Sequence, residues 1–219
     1  MTKPSDFLLG ILDFFAVLMP GAVATWLASH YLSELRAHLN VTQADDGAKA
    51  LAWVALLFTA YVLGHFVFML ASALDGFYDR WRRWRHPKNR DDTYQTAKTL
   101  YKRLHPDLER GRFTTLKWAR AYVQIHSAGA RLEIDRFDAN SKFFRSFVVV
   151  SALLVLHYAF AAEWALAAAA VALGILSFSR YCDQRWKAAE LSYATAVMLH
   201  AAKAAARARN GNEEAESAE

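Results

Sequence analysis

Three ionisable side chains, Asp13, His65 and His157, stand inside apolar runs of this 219-residue sequence. A charged Asp, Lys or Arg at the centre of a bilayer costs ~2.5–3.5 kcal/mol on insertion scales, so residues of this kind point to a role. Counted along helices, Asp13 lies roughly 9 Å and His65 roughly 13 Å from the same membrane surface, close enough to pair. Such a pair supports two chemistries. One is a proton-responsive or ion-lining site, a small channel, with Pro20 and Gly64 permitting local bends. The other is a polar clamp that pins two helices together. The clamp is favoured, because a lone pair without relay groups makes a poor conduction path. His157, placed near the middle of a third apolar run, suits either.

A second constellation is Arg80, Trp81, Arg82, Arg83, Trp84 and Arg85, directly after an apolar run. Tryptophan among arginines can stack on bases, but at the end of a crossing it reads as a lipid-interface belt touching anionic headgroups. A third is Arg120-Ala-Tyr-Val-Gln-Ile-His126. This spacing on a helix is similar to the Arg–His motif of HEPN-family ribonucleases, in which Arg and His of two subunits converge on a phosphodiester. The resemblance covers seven residues and implies a membrane-anchored ribonuclease using Arg120 and His126. Ala121 stands where that family usually carries a polar residue. His126 also falls on an apolar helical stripe, which favours a core histidine over a catalytic one. No Walker, dinucleotide, HExxH, G-x-S-x-G or CxxC pattern occurs. Cys182 is the sole cysteine, which excludes an internal disulfide. His86, His105 and Asp107 lack metal-ligand spacing, so neither metal nor cofactor is expected.

The elements that position these residues follow from hydropathy. The chain is 55% hydrophobic, above the usual ~45–50%, and the excess is gathered into blocks almost free of charge. A hydrocarbon core of ~30 Å needs about 20 apolar helical residues. Residues 7–29 and 50–74 supply two crossings. The apolar stretch from Ser146 to Ser179 is far too long for a third alone, so it folds at Ala161–Trp164 into a hairpin of two short helices. The resulting plan is an all-α polytopic membrane protein. Residues 1–29 hold the N-terminus and first crossing, 30–49 an external loop, and 50–74 the second crossing. Residues 75–145 form a basic cytoplasmic helical region, 146–179 the hairpin, 180–209 a C-terminal helix and 210–219 a disordered acidic tail. Six Arg/Lys between Arg80 and Arg90, and Arg180, Arg185 and Lys187 after the last crossing, place both termini in the cytoplasm. A signal peptide cleaved after Ala24 is disfavoured, because Asp13 interrupts its apolar region. Asn40-Val41-Thr42 matches a glycosylation sequon by what is taken as chance.

Outside the crossings the pattern is amphipathic. Asp91, Asp92 and Thr93 open a helix carrying Tyr94, Ala97, Leu100, Tyr101 and Leu104 and stopping at His105-Pro106. A longer helix starts near Thr114, with Leu116, Ala119, Val123, Ala130, Ile134, Phe137 and Phe144 on one stripe and His126 and Ser141 in its gaps. It runs without a breaker into the third crossing. Arg131–Asp135 lies on its solvated side.

These features predict a non-enzymatic, oligomeric protein of the bacterial inner membrane whose cytoplasmic helices bind a partner or signal. In overall plan it resembles the small multi-helix membrane effectors of bacterial defence systems, which implies perturbation of the membrane on triggering. The expected partners are a bilayer with anionic headgroups, further copies of the chain and a cytoplasmic protein, rather than nucleic acid. Self-association rests on the small residues of Trp164–Gly174, whose face lets helices approach closely.

Overall fold

The computed structural model describes the backbone of residues 4–39, 46–87, 91–106 and 114–216, with the side chains of 14–37, 47, 49–87, 91–106 and 114–210, and contains no strand among them. The helices are α1 (Pro4–Tyr31), α2 (Ser33–Leu39), α3 (Asp46–Ala71), α4 (Asp75–Arg85), α5 (Asp92–Leu104), α6 (Thr115–His126), α7 (Ala128–Phe160) and α8 (Trp164–Glu216). Four stretches of helix are long and apolar enough to cross a membrane: Phe14–Tyr31, Lys49–Arg85, Ala128–Phe160 and Trp164–Asn210. The chain divides into two compact units, the first Met1–Trp81 with Asp138–Gln184, the second Arg82–Phe137 with Arg185–Glu219.

Unit 1 is held by close backbone approach. A Cβ added to Gly21 would overlap the Ala60 carbonyl, and one added to Gly64 would overlap the Val17 carbonyl. As the α1 number rises the α3 number falls, so the two helices are antiparallel. Ala16, Pro20, Thr25, Ala60, Val67 and Ala71 are buried around this crossing. Gly64 therefore serves as a contact point between the two helices. Two buried hydroxyls bond within their own helices, Thr25 donating to the Gly21 carbonyl at 2.8 Å and Ser151 to that of Phe147 at 2.7 Å.

The hairpin turns where hydropathy places it, between Phe160 and Trp164. It manages without glycine because Ala162 takes a left-handed φ of 58°. The Glu163 amide then bonds the Tyr158 carbonyl at 2.9 Å and the Ala162 amide that of Ala159 at 3.1 Å, a Schellman closure. The helices of the hairpin are long, not short, because each is one end of α7 or α8. Across them Gly174 faces the Ser151 side chain. Ala167, Ala170 and Ser177 are buried, while Leu166, Val171, Leu173, Ile175 and Leu176 are exposed. Part of the small-residue segment read as a surface for self-association, Ala167 and Ala170, thus packs within the chain, while Ala165, Ala168, Ala169 and Ala172 are exposed.

Unit 2 has an ordinary apolar interior: Ala97, Trp118, Ala119, Val123, Ile134, Ala188, Ala189, Tyr193 and Ala196. Its caps follow the sequence. The Asp91 carboxylate accepts from the Tyr94 amide at 2.9 Å and Thr114 Oγ1 from the Lys117 amide at 3.3 Å. The helix expected from Thr114 onward is broken, however. Ser127 adopts φ −149°, ψ 95°, closes α6 and caps α7, its hydroxyl accepting from the Ala130 amide at 3.4 Å. That break shifts the register, so His126 is exposed rather than in the core. Arg131 and Asp135 form the expected surface pair at 3.5 Å.

Two further boundaries differ. Much of the expected external loop is helical, with α1 continuing to Tyr31, α2 at Ser33–Leu39 and α3 starting at Asp46. The acidic tail read as disordered is helical as far as Glu216. Extending an existing helix fixes one residue per bond gained, so an alanine-rich run carries it past Asn210.

Substitutions at these two sites have opposite expected effects on the thermal midpoint in detergent. Gly64→Val forces α1 and α3 apart and lowers stability by about 2–3 kcal/mol, the scale of overpacking. Ala162→Gly relieves the left-handed residue and raises stability by about 1 kcal/mol. Gly76→Ala, in open space on α4, should raise stability by about 0.5–1 kcal/mol through helix propensity alone.

Candidate functional site

The most strongly built polar constellation in unit 1 joins Asp75, Arg145 and Tyr181. Asp75 opens α4, where a carboxylate also complements the helix dipole. Arg145 lies on α7 and is 8% exposed. Its Nη1 donates to Asp75 Oδ1 at 3.0 Å, and the Tyr181 hydroxyl of α8 donates to the same oxygen at 2.8 Å. The guanidinium also lies over the Phe68 ring, 4.9 Å from its centroid. Tyr78, Tyr181 and Cys182 are buried beneath, with Leu74, Trp81, Phe144 and Phe178 packed against them. One carboxylate oxygen thereby ties three helices together. Sequence reasoning missed this node, treating Asp75 and Arg145 as limits of a segment. The available signal was two opposite charges closing adjacent apolar runs at the same end.

At the other end of the unit, α1 meets the last turn of α7. The Tyr31 hydroxyl and His157 Nδ1 are 2.8 Å apart. The His157 ring also contacts those of His30 at 5.2 Å and Trp26 at 5.9 Å. His157 is three residues from the helix end, so it belongs to an end cluster and not to the middle of a crossing.

His65 lines a cavity of about 370 Å³ with Phe14, Val17, Tyr61, Phe68 and Lys142. Its ring meets Tyr61 edge-on at 4.6 Å, and Tyr61 stacks on Phe14 at 6.0 Å. The Asp13 side chain, its expected partner, lies outside the described residues.

The basic cluster separates by direction. Arg80, Arg83, Trp84 and Arg85 are exposed, whereas Trp81 and Arg82 are partly buried. Within unit 1, Trp81 stacks on Tyr78 at 6.0 Å. Within unit 2, Arg82 lies over the Trp186 ring at 5.3 Å, and His86 stacks on that ring at 4.2 Å. Burial pushes the Tyr193 phenol above its usual pKa, against the opposing pull of the Arg82 guanidinium that hydrogen bonds it.

Arg120 and His126 are not brought together within one chain. Six residues of helix set them about 120° apart around the axis. His126 Nδ1 donates to the Tyr122 carbonyl at 2.8 Å and its ring stacks on Tyr122 at 4.2 Å, while Arg120 Nε is buried. No group of three or more His, Cys, Asp or Glu among the described residues is placed to hold a metal. Comparison with protein-family models, curated proteins and solved structures finds no match.

A double-mutant cycle on Asp75→Ala and Arg145→Ala should give a coupling of about 1–2 kcal/mol. That is less than the ~3–5 kcal/mol lost when a fully buried pair is broken, because the Asp75 side chain is 41% exposed. Tyr181→Phe alone should cost about 1 kcal/mol. A coupling near zero would show that the node is ornamental.

Tyr193 sets an alkaline limit on unit 2. Its folded pKa is raised, so the stability it confers is intact below the unfolded value near 10 and is lost as pH climbs through the folded value. Melting curves between about pH 9 and 11 should fall more steeply for the wild type than for Tyr193→Phe.

Proposed function

We propose that the chain is a multi-pass inner-membrane protein with unit 1 in the bilayer and unit 2 and both termini in the cytoplasm. It acts there as a non-catalytic component that responds to a protein bound by unit 2. The observation that carries the membrane placement is the inverted polarity of unit 1. Leu51, Phe58, Phe160, Trp164, Ile175 and Leu176 are 65–85% exposed. Thr25, Ser146, Ser151 and Ser177 are buried. Water would penalise an exterior of that kind, and hydrocarbon favours it. Orientation is supported by exposed Arg80, Arg83 and Arg85 at one end and by a hairpin turn without Lys or Arg at the other. The partner-responsive role is supported by connectivity: α7 and α8 each supply residues to both units. A protein that repacks unit 2 therefore acts on helices that also belong to unit 1.

Cysteine labelling tests the placement, and buried Cys182 keeps the background low. With a membrane-impermeant maleimide on intact cells, Glu163→Cys should label, and Gln124→Cys should label only after permeabilisation. The protein should stay in the pellet after carbonate extraction. Reversed labelling or release by carbonate would sink the proposal. Depolarisation or growth arrest on overexpression should persist in the Arg120→Ala/His126→Ala double variant; its loss would favour the ribonuclease instead.

A further inference from the structure

In unit 2 the helices α5 and α8 run parallel, Tyr94 meeting Tyr193 at 5.4 Å and Arg103 facing the same groove as His200. That groove, of about 550 Å³, has Leu100, Val197, Ala201 and Ala204 as its apolar floor. Charge is divided along the seam between the two helices. At one end stand Arg103 and His200, with Arg207 two turns past His200 on the same stripe of α8. No carboxylate is in the described lining there. At the other end stand Asp92 and Glu190, with Arg85 the one opposing Arg or Lys in the described lining. None of Asp92, Glu190, Arg103, His200 and Arg207 has a side-chain hydrogen bond or ion pair among the described residues. Every residue of α8 from Ala201 to Asn210 is exposed, and α5 has already stopped at Leu104.

We infer that this seam docks an amphipathic helix of a cytoplasmic protein, antiparallel to α5 and α8, with acidic residues in its first turn and basic residues in its last. The inference rests on the proposed reading of unit 2 as the partner-binding part. Antiparallel docking brings the first turn to Arg103, His200 and Arg207 and the last turn to Asp92 and Glu190. The helix dipole favours acids at a first turn and bases at a last one, so the charges this seam selects are those a helix in that direction carries best. Seventeen residues separate Glu190 from Arg207, about 26 Å along the axis, which about five turns of helix span. The apolar face of such a helix, at spacings of three and four, meets the floor of the groove. A second copy suits the seam less. Two α8 helices in one membrane run parallel and bring Arg207 beside Arg207. An anionic bilayer would meet the acids along with the bases.

Photocrosslinking of the full chain in its native host tests it, with a benzophenone side chain placed at Thr99 in the groove or at Ile125, exposed on α6. Mass spectrometry of the irradiated membranes reads what is joined to each position. The expected adduct at Thr99 is a peptide of another protein, apolar at helical spacing and with its acids ahead of its bases. Arg103→Glu combined with Arg207→Glu should lower the yield about tenfold, the scale of turning two exposed attractions into repulsions, with an unchanged melting curve. Exchanging the acids of the captured peptide for Lys should restore it. A lipid adduct, an adduct to a second copy, a peptide without that charge order or a yield indifferent to the two Glu substitutions overturns the inference. A protein adduct at Ile125 with none at Thr99 refutes the seam and leaves unit 2 standing as the partner-binding part. No protein adduct at either position removes both.

Discussion

The approach of α1 and α3 at Gly21 and Gly64 is the contact on which unit 1 depends. In the bilayer setting proposed for unit 1, burying apolar area between helices gains little, because lipid tails are as apolar as leucine. What remains is dispersion, which falls away within an ångström of optimal contact, and polar bonds in a low-dielectric setting. Side chains of any size at these two positions would hold the backbones apart. The crossing then governs what lies on either side of it. The cavity around His65 and an apolar groove bounded by Trp26, Lys49 and Trp53 both have walls from α1 and α3, so both take their width from the same point.

Charge completes what the crossing begins. Arg145 is only 8% exposed, and a guanidinium so buried is costly unless it is paired. Asp75, Tyr181 and the face of Phe68 divide its stabilisation among a charge, a shared acceptor and a ring. Because those groups come from α3, α4, α7 and α8, meeting the needs of one side chain also fixes the mutual register of the hairpin and the second crossing.

Periodicity and hydropathy made most of the fold legible. The four apolar stretches, the turn before Trp164 and the caps Asp91 and Thr114 are all stated by residue type and spacing. The break at Ser127 was hidden because Ser is tolerated inside helices and the stripe continues on both sides of it. The left-handed Ala162 was hidden because nothing in an alanine announces it; the pull of two apolar helices toward each other selects the conformation. The candidate site was less legible. Asp75, Arg145 and Tyr181 lie 70 and 106 residues from one another in the two bonds they share, and such pairing cannot be read from a local pattern. His157 was placed by its distance along an apolar run, when its partners are on α1.

The two faces of α8 carry the last step. In its first half, Ala167, Ala170, Gly174 and Ser177 turn inward while Ile175 and Leu176 are exposed. Further along the same helix the exposed side changes character: Ala188, Ala189, Ser192, Tyr193 and Ala196 are inside, and Lys187 and Glu190 are outside. Backbone geometry is the same throughout, so helix propensity cannot account for the change. Small residues line the inner side of the helix in both stretches. What changes is the outer side, from exposed Ile and Leu to exposed Lys and Glu, and that change supports the proposed passage from hydrocarbon to water.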